Sequence, residues 1–101
     1  MKNFKNLLLV ALFFVTATVL GQSEITGLVL DETNQPLPGA SIVVKGTANG
    51  TSTDFDGKFT LKAVSNSGRI VVSFIGYKSK EVAFSSSKTN MGSIQLEADS
   101  S

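Results

Sequence analysis

Thr53-Asp54-Phe55-Asp56-Gly57-Lys58-Phe59 sets two carboxylates and a glycine between strand-like residues and reads as the tip of a β-hairpin. Asp side chains hydrogen-bond backbone amides two residues on, and glycine takes a positive φ without steric cost, so Asp54, Asp56 and Gly57 supply a tight reversal. Phe59 restarts a strand in which Phe59, Leu61 and Ala63 alternate with Lys58, Thr60 and Lys62, the pattern of one buried and one wet face. The same Asp-x-Asp-Gly spelling opens the calcium loop of an EF-hand. Such a loop needs a bidentate Glu at its twelfth position, and counted from Asp54 that position is Ser65, so the spacing fails and a structural turn is the expectation. The surrounding residues also lack the apolar shielding that would raise one carboxyl's pKa for glycosidase chemistry.

Upstream, Glu24-Ile25-Thr26-Gly27-Leu28-Val29-Leu30 is a short strand that runs into the polar loop Asp31 to Gly39. Pro36 and Pro38 stiffen that loop. In Ala40-Ser41-Ile42-Val43-Val44-Lys45, the set Ala40, Ile42 and Val44 is expected to face the core. Gly46 to Gly50 breaks this strand, and Thr51-Ser52-Thr53 is a short polar strand leading into the hairpin. Asn49-Gly50-Thr51 also spells a glycosylation acceptor, a short motif that occurs often by chance. Downstream, Arg69-Ile70-Val71-Val72-Ser73-Phe74-Ile75 is the most apolar stretch after residue 21 and reads as a central strand covered on much of both faces. Lys78 to Phe84 and Met91 to Leu96 complete the series. No segment beyond Gln22 carries helical spacing, and about seven short strands separated by Gly, Pro, Asn and Ser predict an antiparallel β-sandwich.

The N-terminus has Lys2 and Lys5, the apolar run Leu7 to Leu20, and small residues before Gln22, which predicts a secretory signal peptide over residues 1–21. The run is shorter than a membrane-spanning helix needs. Without residues 1–21, seven basic residues stand against eight acidic ones, a formal charge of −1, so no electrostatic footprint for nucleic acid is present. With no His, Cys or Trp, nucleophilic triads, imidazole or thiolate metal sites and disulfides are excluded.

Five pieces in order carry a resemblance: Ile25-Thr26-Gly27-Leu28-Val29; Gln35-Pro36-Leu37-Pro38-Gly39-Ala40-Ser41-Ile42; Val44-Lys45-Gly46-Thr47; Gly50 to Phe59; and Ser73-Phe74-Ile75-Gly76-Tyr77. The chain resembles the carboxypeptidase-regulatory-like domain, in the form found at the N-terminus of starch-utilisation-type TonB-dependent outer-membrane receptors. The resemblance implies a seven-stranded, transthyretin-like Greek-key sandwich over residues 22–97, followed by a disordered tail over 98–101. It implies a periplasmic, outer-membrane-associated location, no catalytic activity, no cofactor, and protein partners within a nutrient-uptake system. In such receptors a TonB box, plug and barrel follow. The chain stops at Ser101, about where the TonB box would begin, so the expectation is a stand-alone domain or the front end of a receptor.

Asp54, Asp56 and Gly57 are thus expected to build the turn, and Phe59, Phe74 and Tyr77 to lie in the core, with the Tyr77 hydroxyl anchored to nearby backbone. Lys78, Lys80 and Glu81 are expected on a solvated face that discourages edge aggregation. Thr47, Thr51, Ser52 and Thr53 form a candidate edge for an added strand. The competing reading is a secreted or surface sandwich that binds carbohydrate or peptide directly, for which an exposed aromatic platform would be the mark.

Overall fold

The computed structural model describes residues 24–63 and 65–99. The proposed signal peptide therefore lies outside the described residues. Seven strands follow one another as β1 (Glu24–Leu30), β2 (Ser41–Val44), β3 (Gly50–Ser52), β4 (Lys58–Lys62), β5 (Ser67–Ser73), β6 (Lys80–Ser85) and β7 (Asn90–Gln95). They form a three-stranded sheet in the order β4-β1-β7 and a four-stranded sheet in the order β3-β2-β5-β6.

The period-2 pattern determines what each sheet buries. In β4, Phe59 and Leu61 are buried while Lys58, Thr60 and Lys62 are exposed. Their neighbours across β1 are Gly27 and Ile25. In the second sheet Ile42 pairs with Val72 and Val44 with Ile70, which puts all four on the inner face. Ala40, Phe84, Ile94 and Leu96 join a core whose buried members, among the described residues, run from Ile25 to Leu96. This segment contains its own hydrophobic centre. Two glycines make room for the rings: a Cβ on Gly27 would stand 2.6 Å from the Phe59 ring, and one on Gly68 would stand 3.0 Å from the Phe84 ring.

Three details depart from the sequence reading. The sheets are not wholly antiparallel, because β1 and β7 run parallel, with a register shift between Thr26 and Leu28. On β7 this irregularity falls at Gly92, which has φ 65 and donates its N–H to Asn90 Oδ1 at 2.9 Å. β5 is central, yet only Ile70 and Val72 are fully buried, and Ile75, at the end of the same apolar run, is 90% exposed. The chain also leaves that strand earlier than expected, at Ser73. Finally, Ala98 bridges Tyr77 and the Asp99 N–H donates to Gly76 O at 2.9 Å, so the first two residues of the expected disordered tail are hydrogen-bonded to the fold.

Candidate functional site

Register places four chain segments at one end of the sandwich. Ser41 is level with both Ser52 and Ser73, Val72 is level with Lys80, Leu28 with Lys58, and Leu30 with Gln95. The β1–β2 loop, the β3–β4 turn, the β5–β6 turn and the segment after β7 therefore emerge together. Each is held by its own hydrogen bonds.

In the β3–β4 turn, Asp54 Oδ1 accepts the N–H groups of Asp56 (2.9 Å) and Lys58 (3.0 Å), and the Gly57 N–H donates to Asp54 O at 3.0 Å. Gly57 has φ 78, and a Cβ there would meet Val29 O at 2.7 Å and Pro36 Cβ at 3.0 Å. Its carbonyl accepts from Val29 N, which seats the turn against β1. Of the two aspartates, Asp54 does the capping and Asp56 contributes its backbone amide. The described residues contain no cluster of three or more metal-ligating side chains.

Thr53 is the residue whose role the sequence reading missed. It is buried, its Oγ1 donates to Leu37 O, and the same oxygen accepts from Ala40 N at 2.9 Å. Backbone bonds from Thr53 N to Ala40 O (3.0 Å) and from Gly39 N to Thr53 O (3.1 Å) extend the β2–β3 pairing. Thr53 thus fastens the proline-containing loop to the hairpin and is not available to an added strand. Thr51 lies opposite the fully buried Ile42 and is half-buried on the inner face. The candidate docking edge accordingly shrinks to Ser52 and the exposed Thr47. The signal for Thr53 was a hydroxyl next to Asp54, and hydroxyls in polar runs are too common to stand out.

The β1–β2 loop repeats the aspartate device. Asp31 Oδ1 accepts from Thr33 Oγ1 (2.7 Å), Thr33 N (2.8 Å) and Gln35 N (2.9 Å). The Thr33 hydroxyl first, then the Gln35 amide, holds this carboxyl below the usual carboxylate range against the opposing effect of burial. Gln95 Nε2 reaches Asp31 O, Glu32 O and Asn34 Oδ1 at 3.1–3.3 Å and ties the loop to β7.

In the β5–β6 turn, Tyr77 N donates to Phe74 O at 3.0 Å and Gly76 has φ 86. Phe74 and Tyr77 are half-buried and pack against the core from its margin, with ring centroids 5.8 Å apart. Phe59, by contrast, is inside the core. The expected backbone anchor of the Tyr77 hydroxyl is not formed among the described residues. Partial burial, with the charges of Glu32 and Asp31, pushes this phenol above its ordinary range. Lys78 is placed by its backbone, which donates to Glu97 O at 2.8 Å. Lys80 Nζ reaches Gln95 O at 3.3 Å, and Glu81 pairs with Lys45 at 3.0 Å on the solvated face.

The concave places on this surface are shallow. One is a gap between the two sheets lined by Lys78, Lys80, Gln95 and Glu97, and another is a hollow beside Gly39, Ser41, Ser73 and Ile75. Two large apolar side chains stand out instead, Phe55 at 93% and Ile75 at 90% exposure. No helix among the described residues is long and apolar enough to cross a membrane.

Comparison with known proteins adds the relationship. A family model described as the CarboxypepD_reg-like domain matches residues 25–101. The chain is 47% identical over 77 residues to the TonB-dependent receptor SusC of Bacteroides thetaiotaomicron and 41% identical over 75 residues to the TonB-dependent receptor P39 of Formosa agariphila. Those alignments take in 75% and 74% of this chain but only 8% and 7% of the receptors. Among solved structures, a chain of a type II cohesin–X-dockerin complex from Acetivibrio cellulolyticus matches with a TM-score of 0.64 at 20% identity, over 75% of this chain and 58% of that one. At that identity the likeness is one of fold.

Proposed function

As a member of the carboxypeptidase-regulatory-like domain family, the chain is, we propose, a non-enzymatic accessory domain of a TonB-dependent outer-membrane receptor for glycan uptake. In this reading residues 1–21 direct export and are removed, the sandwich of residues 22–97 works on the periplasmic side, and it acts through contacts with other proteins of the uptake system. The domain operates alone or at the front of a longer receptor.

The observation that carries the reading is how the sandwich spends its polar groups. Asp31 and Asp54 each commit an oxygen to backbone amides, and Thr53 commits its hydroxyl to two more backbone groups, so the chemistry at this end serves to hold turns rigid. A surface of fixed turns suits recognition of another protein better than turnover of a small substrate. Deleting residues 22–97 from the gene in its host is expected to slow growth on a polysaccharide as sole carbon source and to leave growth on a monosaccharide unchanged. Equal growth on both would overturn the reading, as would hydrolysis of chromogenic esters, peptides or glycosides by the purified chain.

One observation favours a second reading. The fully presented ring of Phe55 is a surface on which a sugar could stack, in line with direct binding of carbohydrate. Titration with linear glucose oligomers separates the two: saturable binding abolished by Phe55→Ser supports direct recognition, and no binding leaves the accessory role.

A further inference from the structure

We propose that the turn-bearing end of the sandwich is a docking surface for a protein partner that presents apolar pockets rimmed by lysine and arginine. The inference rests on the accessory-domain reading and gives that reading a surface and a partner chemistry.

Phe55 and Ile75 occupy the same position in two different turns. The bond from Gly57 N to Asp54 O closes a four-residue turn with Phe55 second, and the bond from Tyr77 N to Phe74 O closes another with Ile75 second. Gly76, third in its turn with φ 86, has the left-handed geometry that a type II turn requires. The second residue of such a turn projects from the fold. A polar residue there would cost nothing in solvation, yet these two positions hold the two large hydrophobics most exposed among the described residues.

Neither turn has to be ordered on binding. The first is pinned by Asp54 Oδ1 and by the bond between Val29 N and Gly57 O, and the second by the bonds of Asp99 N to Gly76 O and Lys78 N to Glu97 O. A partner that covers Phe55 and Ile75 therefore gains their apolar burial without the entropy cost of fixing a mobile loop.

Charge specifies the partner. Six of the eight acidic residues, Asp31, Glu32, Asp54, Asp56, Glu97 and Asp99, lie at this end, against Lys58, Lys78 and Lys80. The opposite half carries Lys45, Lys62, Arg69 and Lys88 against Glu24 and Glu81. Lys45–Glu81 and Arg69–Glu81 are ion pairs of that opposite half, and Asp31, Glu32, Asp54, Asp56 and Glu97 have no ion-pair partner among the described residues. Phe55 sits between two of these acids. A basic rim around an apolar pocket is the complementary surface, and like charge would repel an acidic one.

The test uses the 15N-labelled chain from Gln22 onward and three synthetic peptides of equal length: one alternating lysine and leucine, one with glutamate in place of lysine, and one with serine in place of leucine. The lysine–leucine peptide alone is expected to shift the amides of residues 54–57 and 75–77. Its affinity should fall about tenfold or more as salt rises from roughly 0.05 to 0.3 M, because the charges involved are exposed and screened. The double variant Phe55→Ser/Ile75→Ser, which touches no buried residue, should lose at least about fivefold, on the apolar area removed. Equal binding of the glutamate peptide, shifts centred instead on Val43 and Val71 of the outer sheet face, unchanged affinity in the double variant, or no binding at all would overturn the proposal. These outcomes are independent of the growth experiment, so the surface can fail while the accessory role stands, and the reverse.

Discussion

The ring of Phe59 lies directly over Gly27 on the neighbouring strand, so close that a Cβ on Gly27 would stand 2.6 Å from Phe59 Cε2 and 2.7 Å from Cζ. The two residues are register partners across β1 and β4. Gly27→Ala should therefore overpack the core and cost about 1–3 kcal/mol. In the background of Phe59→Leu, which withdraws the ring, the same change should cost much less. Urea unfolding midpoints of the four proteins in this cycle measure the coupling, and additive costs would show that the ring is not what excludes the methyl group.

Thr53 offers a second test, because its hydroxyl alone satisfies Ala40 N and Leu37 O. Thr53→Val keeps the shape and removes the hydroxyl, leaving two backbone groups unpaired in a buried place, at an expected cost of about 1–3 kcal/mol. Thr53→Ser retains both bonds and should stay within about 1 kcal/mol of the parent, the worth of one methyl group. Denaturant unfolding ranks the two variants, and amide exchange at Ala40 should accelerate only in the valine protein.

Gly57 and Gly39 share a left-handed backbone, with φ 78 and 79, but differ in surroundings. At Gly39 a Cβ meets nothing within 4 Å, whereas at Gly57 it would strike Val29 O and Pro36. Gly39→Ala should cost about 1–2 kcal/mol, the conformational penalty alone. Gly57→Ala adds a backbone clash and should cost clearly more, with displaced amide resonances in both β1 and the β1–β2 loop. Equal losses at the two sites would mean that conformation, and not space, governs the hairpin.

Asp31 makes stability depend on pH in the acid range. Its folded carboxyl titrates below the ordinary value of 3.8, so the charged form is favoured in the fold. The stabilisation is fully present above the unfolded value, and it is lost as pH falls through the lower, folded one. Unfolding midpoints followed from pH 6 down to about pH 2 should drop less steeply in Asp31→Asn than in the parent, with the two curves parallel above about pH 5. Thr33→Ala should move the Asp31 carbon resonance midpoint upward, since the threonine hydroxyl is the main cause of the shift.

Strand faces were legible wherever a strand alternates. Phe59 and Leu61 against Lys58 and Lys62, or Ile42 and Val44 against Ser41, declare their inner side locally, because a period of two has only two solutions. The hairpin was legible for the same reason: Asp54 reaches amides no more than four residues away, and Gly57 declares its backbone by lacking a side chain. What depended on distant residues was not. Thr53 looks like any threonine in a polar run until Leu37 and Ala40 come against it, and Thr51 faces inward only because Ile42 lies opposite. Ile75 ends an apolar run and so reads as core, but a turn starting at Phe74 lifts it into solvent.

The sequence by itself determined an all-β chain of seven strands, the inner faces of its alternating strands and the hairpin at Asp54–Gly57, since each rests on interactions within a few residues. Only the tertiary structure decided that β1 and β7 run parallel, that Thr53 bolts a loop to the hairpin, that Ala98 and Asp99 stay attached, and that Phe55 and Ile75 share one acidic end. These follow from which strands meet across dozens of intervening residues. Pairing of that kind is settled by burial and hydrogen bonding summed over the whole sandwich, to which no single stretch of chain holds the key.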